Sequence, residues 1–311
     1  MQQVGKGKAY YADTNGMPKA DGRVTHLGLT DGELAPRIVT VGSLSRAKRL
    51  RACLDGPTDK TFELASDRGF TTFTGAFDGV PVSVVATGMG APMMDFLVRE
   101  ARAVVDGPML FVRFGSCGGL RADAVPGTIC VNTPGAVYVQ RDYDAFAKPA
   151  TAGGTTSAYT VSQVVAPDGE LAEHARDAMR DALGARLIEG LNASADSFYG
   201  SQGRLDGHFD DRNEDCVERV LEMHADVASM EMESFQLLHL ARCANPKFGA
   251  VRAATAAIVC ANRASGDVIT GEALHECEDV GGRAVLKAIT SCPLGEDHGE
   301  DAPSPSKRAR R

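Results

Sequence analysis

Three arginines, two glutamates and one glycine-rich stretch supply the residue types most suited to chemistry in this chain. The stretch is Met109–Gly119, reading Met-Leu-Phe-Val-Arg-Phe-Gly-Ser-Cys-Gly-Gly. A run of strand formers carries Arg113 and is expected to break into a turn at Gly115. A glycine turn lets backbone N–H groups close around an anion. Arg113 stands just before that turn, and the Ser116 hydroxyl just after it. Arg46 follows a second glycine turn, Gly42-Ser43-Leu44-Ser45, and Arg68 precedes the strand-like run Phe70–Gly75. Guanidinium forks match phosphate oxygens two at a time. Arginines without an acidic partner in their own loop suit a phosphate better than a carboxylate. The two glutamates lie in Glu231-Met-Glu-Ser234. At positions i and i+2 of extended chain they point to one face. There they could accept hydrogen bonds from a hydroxyl-rich ligand such as ribose. Equally, acidic residues favour a helix N-terminus.

These residues need elements to hold them. Arg37–Val41 reads as a buried strand and Ala47–Leu54 as a helix, with Arg46 near its start. Strand, glycine turn and helix aim helix N–H groups at an anion. Arg46 could equally be a solvated helix residue, since Lys48, Arg49 and Arg51 follow it. Phe70–Gly75 and Val80–Thr87 are strands joined by the hairpin signal Asp78-Gly79. Thr87-Gly-Met-Gly90 is another strand-end glycine turn, and Pro92 opens a helix to about Val105. Further strands are expected at Thr128–Asn132, Tyr159–Val165, Leu187–Ala195, Ala228–Met232 and Val251–Cys260. Helices are expected at Gly169–Leu183, Glu214–His224, Glu233–Cys243 and Glu272–Thr290, and loop over 134–158. The alternation predicts one α/β domain over 25–292. It follows a flexible lead-in, 1–24, and precedes a basic tail, 293–311, read as disordered or as a nuclear-import signal. In such sheets ligands gather at the carboxyl ends of strands, where Arg46, Arg113, Ser116 and the Gly42 N–H would converge. No G-x-G-x-x-G is present, so a dinucleotide fold is not indicated.

Bulk properties narrow the partners. The 311 residues are 43% apolar and 24% charged, as in ordinary globular proteins. A net charge of -8 offers no basic field to nucleic acid or a membrane surface. The longest apolar stretch, Ala253–Ala261, is too short to span a bilayer. Met1–Arg23 is polar and glycine-rich, unlike a signal peptide. None of the eight cysteines falls in a C-x-x-C pair, which gives no support to a zinc ribbon or redox dithiol. Scattered thiols fit a reducing, cytoplasmic setting.

Six segments together resemble the uridine phosphorylase branch of the hexameric-type nucleoside phosphorylases. They are His26-Leu-Gly-Leu-Thr, Arg68-Gly-Phe-Thr-Thr, Thr87-Gly-Met-Gly-Ala-Pro, Arg113-Phe-Gly-Ser-Cys-Gly, Asp196–Arg204 and Glu231-Met-Glu-Ser. The resemblance runs in one order from about residue 26 to 290. It implies a single-domain fold with a central mixed β-sheet flanked by helices. It implies phosphate, the co-substrate, held by the Gly42 N–H, Arg46, Arg113 and Ser116, with Arg68 reaching in from a neighbouring subunit. Glu233 would bind the ribose hydroxyls above Met232, and the neighbour's His26 would meet the 5′-hydroxyl. Gln202 and Arg204 would read the uracil edge and Phe198 would pack on the base. Backbone near Cys260 and Ala261 would close that pocket, with Arg263 behind it. Uridine and phosphate would exchange with uracil and ribose 1-phosphate, Arg113, Glu233 and Arg204 carrying the catalysis, without an organic cofactor or catalytic metal.

Departures from the bacterial pattern carry their own implications. Val41-Gly-Ser-Leu replaces Pro-Gly-Asp-Pro, keeping the backbone role and losing an aspartate. Cys117 replaces a second loop hydroxyl. Bacterial members bind a monovalent cation between subunits through a glutamate and a serine; Gly69 and Met93 stand there instead, with Asp95 nearby as a ligand for a different cation. These changes look like the eukaryotic branch, where dimers are common, and a shared site needs at least a homodimer. The rival readings are a purine nucleoside phosphorylase of the same fold, a nucleosidase, and a non-catalytic nucleoside-binding protein. Purine members use an aspartate acid after the last core strand, where this chain reads Ala261-Asn-Arg-Ala. Arginine cannot serve as that acid.

Overall fold

A small hairpin opens the described chain: Lys19–Ala20 (β1) pairs with Arg23–Val24 (β2), turned by Asp21 and Gly22 at positive φ. It lies within the stretch read as a lead-in. The computed structural model describes residues 15–147 and 158–295, so residues 1–14 and the basic tail beyond Gly295 lie outside the described residues.

The remaining strands form one mixed, twelve-stranded sheet. They are Arg37–Val41 (β3), Phe62–Ala65 (β4), Thr71–Phe77 (β5), Val80–Ala86 (β6), Met109–Gly119 (β7), Ile129–Val131 (β8), Ala136–Arg141 (β9), Tyr159–Val161 (β10), Leu187–Glu189 (β11), Leu191–Ala195 (β12), Val227–Glu231 (β13) and Val251–Asn262 (β14). The α-helices are Leu44–Arg51 (α1), Ala91–Arg102 (α2), Tyr143–Phe146 (α3), Gly169–Leu183 (α4), Cys216–Met223 (α5), Ser234–Cys243 (α6) and Gly271–Ser291 (α7). The main path runs β10-β9-β12-β13-β7-β3-β6-β5-β4, with β14 along the other side of β7. Asp78 and Gly79, both at positive φ, close the β5–β6 hairpin that Asp-Gly announces.

Side chains alternate across β7 and so belong to two different cores. Leu110, Val112 and Phe114 join the layer under α1, α4 and α7. Met109 and Phe111 join the layer under α2 and α6. Val137, Ala193, Val220 and Val227 form a third cluster with α5.

Two sequence expectations change. β7 does not turn at Gly115 but runs extended to Gly119, in register with β14 from Met109↔Val251 to Gly119↔Asn262. Gly115, Gly118 and Gly119 are not at positive φ. They serve by lacking a side chain: a Cβ on Gly119 would lie 2.5 Å from the Ala124 carbonyl. The long partner strand overrides the local glycine signal. Residues 134–158, expected as loop, hold β9 and α3, with 148–157 outside the described residues. β9 forms because β12 and β10 pair with it on either side, a long-range cause that composition does not register.

Candidate active site

β7 loses its neighbour on one side for a few residues. β3 pairs with it in parallel only as far as Thr40↔Arg113. β13 arrives antiparallel from the other end at Met230↔Gly118 and Ser229↔Gly119. Between them, Phe114–Cys117 faces a gap in the ladder. The carboxyl ends of β3 and β13 point at each other across it, the switch-point arrangement where α/β sheets bind ligands. Leu110 N–H donates to Pro36 O on the β3 side and Leu120 N–H to Ala228 O on the β13 side. Strand alternation therefore turns the Ser116 N–H into the gap. Three helices start around it: α1 after Ser43, α6 after Glu233 and α2 after Gly90. Helix N-termini carry partial positive charge, so the gap favours an anion.

Arg113 lies on the α2/α6 side of β7, 3% exposed. Its guanidinium packs on Gly115, whose Cβ would meet Nε at 3.3 Å. Nη2 donates to Glu233 Oε2, and Nε lies 3.4 Å from Glu231 Oε2. Nη1 is buried without a partner. A buried donor left unpaired is costly, and a bound anion would satisfy it.

The two glutamates do face one side, as their spacing predicts, and they differ in role. Glu231 accepts from Asn192 Nδ2 at 2.7 Å, Ser194 Oγ at 2.5 Å, the Glu233 N–H at 2.9 Å and the Ser234 N–H at 3.0 Å. Burial alone would raise its carboxyl, but Arg113, Ser194 and the Glu233 N–H outweigh burial and hold it below the usual glutamate range. Glu233 accepts from the Gly90 N–H as well as Arg113. Burial pushes its carboxyl up; Arg113 opposes this and the charge of Glu231 adds to it. Glu231 is thus a fixed anion that braces the site. Glu233 has fewer partners and a raised carboxyl, with half-buried Met232 between the two.

Arg46 reaches the gap from α1, on the opposite side of β7. It is 5% exposed, its Nη1 donates to Phe114 O at 3.2 Å, and its Nε donates to Glu278 Oε1 at 3.0 Å. Both phosphate-type arginines therefore have acidic partners, supplied from distant elements rather than their own loops. Ser116 is exposed on this same side. Gly42 comes close to the β6–α2 turn, where its Cβ would meet Gly88 O at 3.5 Å. Cys260 is the extra residue of a bulge in β14, where the pairing jumps from Val259↔Cys117 to Ala261↔Gly118. Burial raises the Cys260 thiol, moderated by Arg46 and a hydrogen bond with Ser116. Cys260 and Ala261 are both half-buried, on the edge of β7 opposite the gap. Cys117 faces away from solvent, its thiol raised well above normal by burial.

The base-loop residues also come together. Arg204 Nη1 donates to Gln202 Oε1 and to Phe198 O, each at 2.6 Å, and its guanidinium lies 3.7 Å over the Phe198 ring. Burial, then the charge of Arg263, lowers the Arg204 pKa. Arg263 ties this loop to the end of β7. It donates to Gln202 O at 2.9 Å and Gly203 O at 3.1 Å, its own N–H donates to Gly119 O at 2.8 Å, and its stem packs over Gly118.

Two residues stand apart from this constellation. Arg68 is exposed in the β4–β5 hairpin, beyond β3 and β6 from β7. His26 is held against α2, its Nδ1 2.6 Å from Glu100 and its ring stacked 3.9 Å from Phe96. Asp95 accepts from Arg99 Nε at 2.8 Å, so a cation there would compete with an arginine. No cluster of three or more metal-type side chains occurs among the described residues. No helix there is long and apolar enough to cross a membrane. Sequence reasoning missed Glu278, Asn192, Ser194 and the Gly90 N–H, which act only through the fold.

The Phosphorylase superfamily model matches residues 36–291. Uridine phosphorylase of Klebsiella aerogenes is 31% identical over 277 residues, covering 88% of this chain and 98% of that protein. A solved structure of a uridine phosphorylase from the oomycete Phytophthora capsici is 45% identical at a TM-score of 0.85, covering 91% of this chain and 99% of that one. The DeoD-type purine nucleoside phosphorylase of Bacillus subtilis is 28% identical over a shorter 181 residues. With the match spanning the whole sheet and every segment around the gap in β7, this chain belongs to the phosphorylase superfamily.

Proposed function

We propose that this chain catalyses the reversible phosphorolysis of uridine to uracil and ribose 1-phosphate, as a pentosyltransferase of pyrimidine salvage. One observation carries the choice of base. Arg263, bonded to the Gln202 carbonyl and to Gly119, ties a loop bearing Gln202 and Arg204 to the end of the strand that carries Arg113. A carboxamide and a guanidinium offer donors and an acceptor to the uracil edge. Arg263 also stands where a purine branch member needs an acid.

The chemistry follows from placement. Cleaving the glycosidic bond leaves positive charge on the ribose and negative charge on the departing base. Phosphate in the β7 gap, held by Arg46, Arg113, the Ser116 group and the Gly42 N–H, attacks C1′ and forms the new C–O bond. The C1′–N1 electron pair leaves with uracil. Glu233 fixes the ribose hydroxyls so that C1′ faces the nucleophile. Arg204 stabilises the uracil anion. Most of the gain is positioning and electrostatics.

A second copy supplies Arg68 and His26, so the working unit is at least a homodimer, with an interface cation near Asp95 as an accessory. The reducing cytoplasm is its proposed setting. Uridine and inosine assayed side by side test the reading. Uracil release should require phosphate, with inosine nearly inert. Equal release without phosphate would identify a hydrolase, and a preference for inosine a purine enzyme.

A further inference from the structure

We propose that Glu278, a buried carboxylate on α7, is the positioning residue that aims Arg46 at phosphate; this deepens the phosphorolytic reading above and rests on it. Glu278 is 5% exposed and 232 residues from Arg46 in sequence. One of its oxygens accepts from Arg46 Nε at 3.0 Å, and the other lies 3.2 Å from Arg49 Nε. Arg46 and Arg49 are three residues apart on α1 and so share a helical face. Arg49 is held in turn by Asp279, with Nη1 at 3.0 Å from each carboxylate oxygen.

The effect on Arg46 is specific. Nε is fixed by Glu278 and Nη1 by the Phe114 carbonyl, which alternation places on the gap side of β7. Nη2 is the nitrogen left without a partner among the described residues. A guanidinium pinned at two corners presents its third in one direction. Glu278 divides itself between two arginines, and Asp279 offsets the second, so Arg46 does not have a carboxylate to itself. A carboxylate devoted to Arg46 alone would take Nε and Nη2 together in the usual fork and withdraw the guanidinium from an anion. Arg49 therefore acts as a spacer that keeps Glu278 from closing on Arg46. α7 can lie this close because Gly281 and Gly282 face inward. A Cβ on Gly282 would meet Leu50 of α1 at 2.6 Å, and one on Gly281 would meet Phe114 at 2.6 Å.

Steady-state kinetics on the full chain test this, with phosphate and uridine varied separately. Glu278→Gln keeps the volume and one acceptor and removes the charge. The KM for phosphate should rise about tenfold while the KM for uridine moves less than about twofold. Arg49→Ala, at a partly exposed site, folds whatever the fate of the buried variant. It should raise the phosphate KM by about threefold through closure of the fork. A merely structural role would lower the active fraction, reducing kcat and leaving both KM values in place. That result, or a phosphate KM unmoved in Arg49→Ala, overturns the proposal. Wild-type enzyme indifferent to phosphate would instead overturn the phosphorolytic reading itself.

Discussion

Two glutamates two residues apart occupy opposite electrostatic states here. Glu231 is surrounded by donors, while Glu233 has Arg113, one backbone N–H and its neighbour's charge. If Glu233 binds the ribose hydroxyls as proposed, it does so ionised, and uridine turnover should be lost on acidification at a pH above the ordinary glutamate value. Glu231→Gln removes a negative charge that holds Glu233 up, so the acid limb of kcat/KM for uridine should move to lower pH at fixed phosphate. A limb that stays in place or rises would show that Glu231 does not set it. Arg113, Ser116 and the glutamate pair could be picked out from sequence because each stands in a compact motif. Glu278 and the Gly90 N–H could not, since their partners lie 232 and 143 residues away. Buried arginines with remote acids look unpaired in any local window.

At the scale of elements, turns between units were readable wherever apolar runs met glycine or proline, as at β3–α1, β5–β6 and the start of α2. β7 was readable only as far as Phe114, because pairing with β14 keeps its glycines extended. β9 was hidden among small residues and exists through its neighbours β12 and β10. The close seat of α7 on β7 was equally hidden, since it depends on the missing side chain of Gly281. Gly281→Val should overpack against Phe114 and Ile129 and cost about 1–3 kcal/mol, read by urea unfolding. Unchanged stability would mean that α7 does not sit so near. The gap beside β7 is the least legible feature of all: it arises where two strands stop, and neither stop is a sequence motif.

For the whole molecule, the described chain brings Arg46, Arg113 and Glu233 to β7 and ties the base loop to its end, while Arg68 and His26 lie elsewhere on its surface. If a second copy lends those two, a site needs Glu233 from one chain and Arg68 from the other. Arg68→Ala and Glu233→Ala should each be nearly inactive alone. Mixed after unfolding and refolded together, they should regain about a quarter of wild-type activity, since half of random dimers carry one intact site. No recovery would place both residues in one subunit's site, and an active Arg68→Ala would put Arg68 outside any.

A parallel strand and an antiparallel one stop short of each other beside the same central strand, leaving a short break in the ladder. If phosphate settles there as proposed, it is bonded by groups from both halves of the chain and bridges that break. Nucleophile and keystone would then be the same molecule.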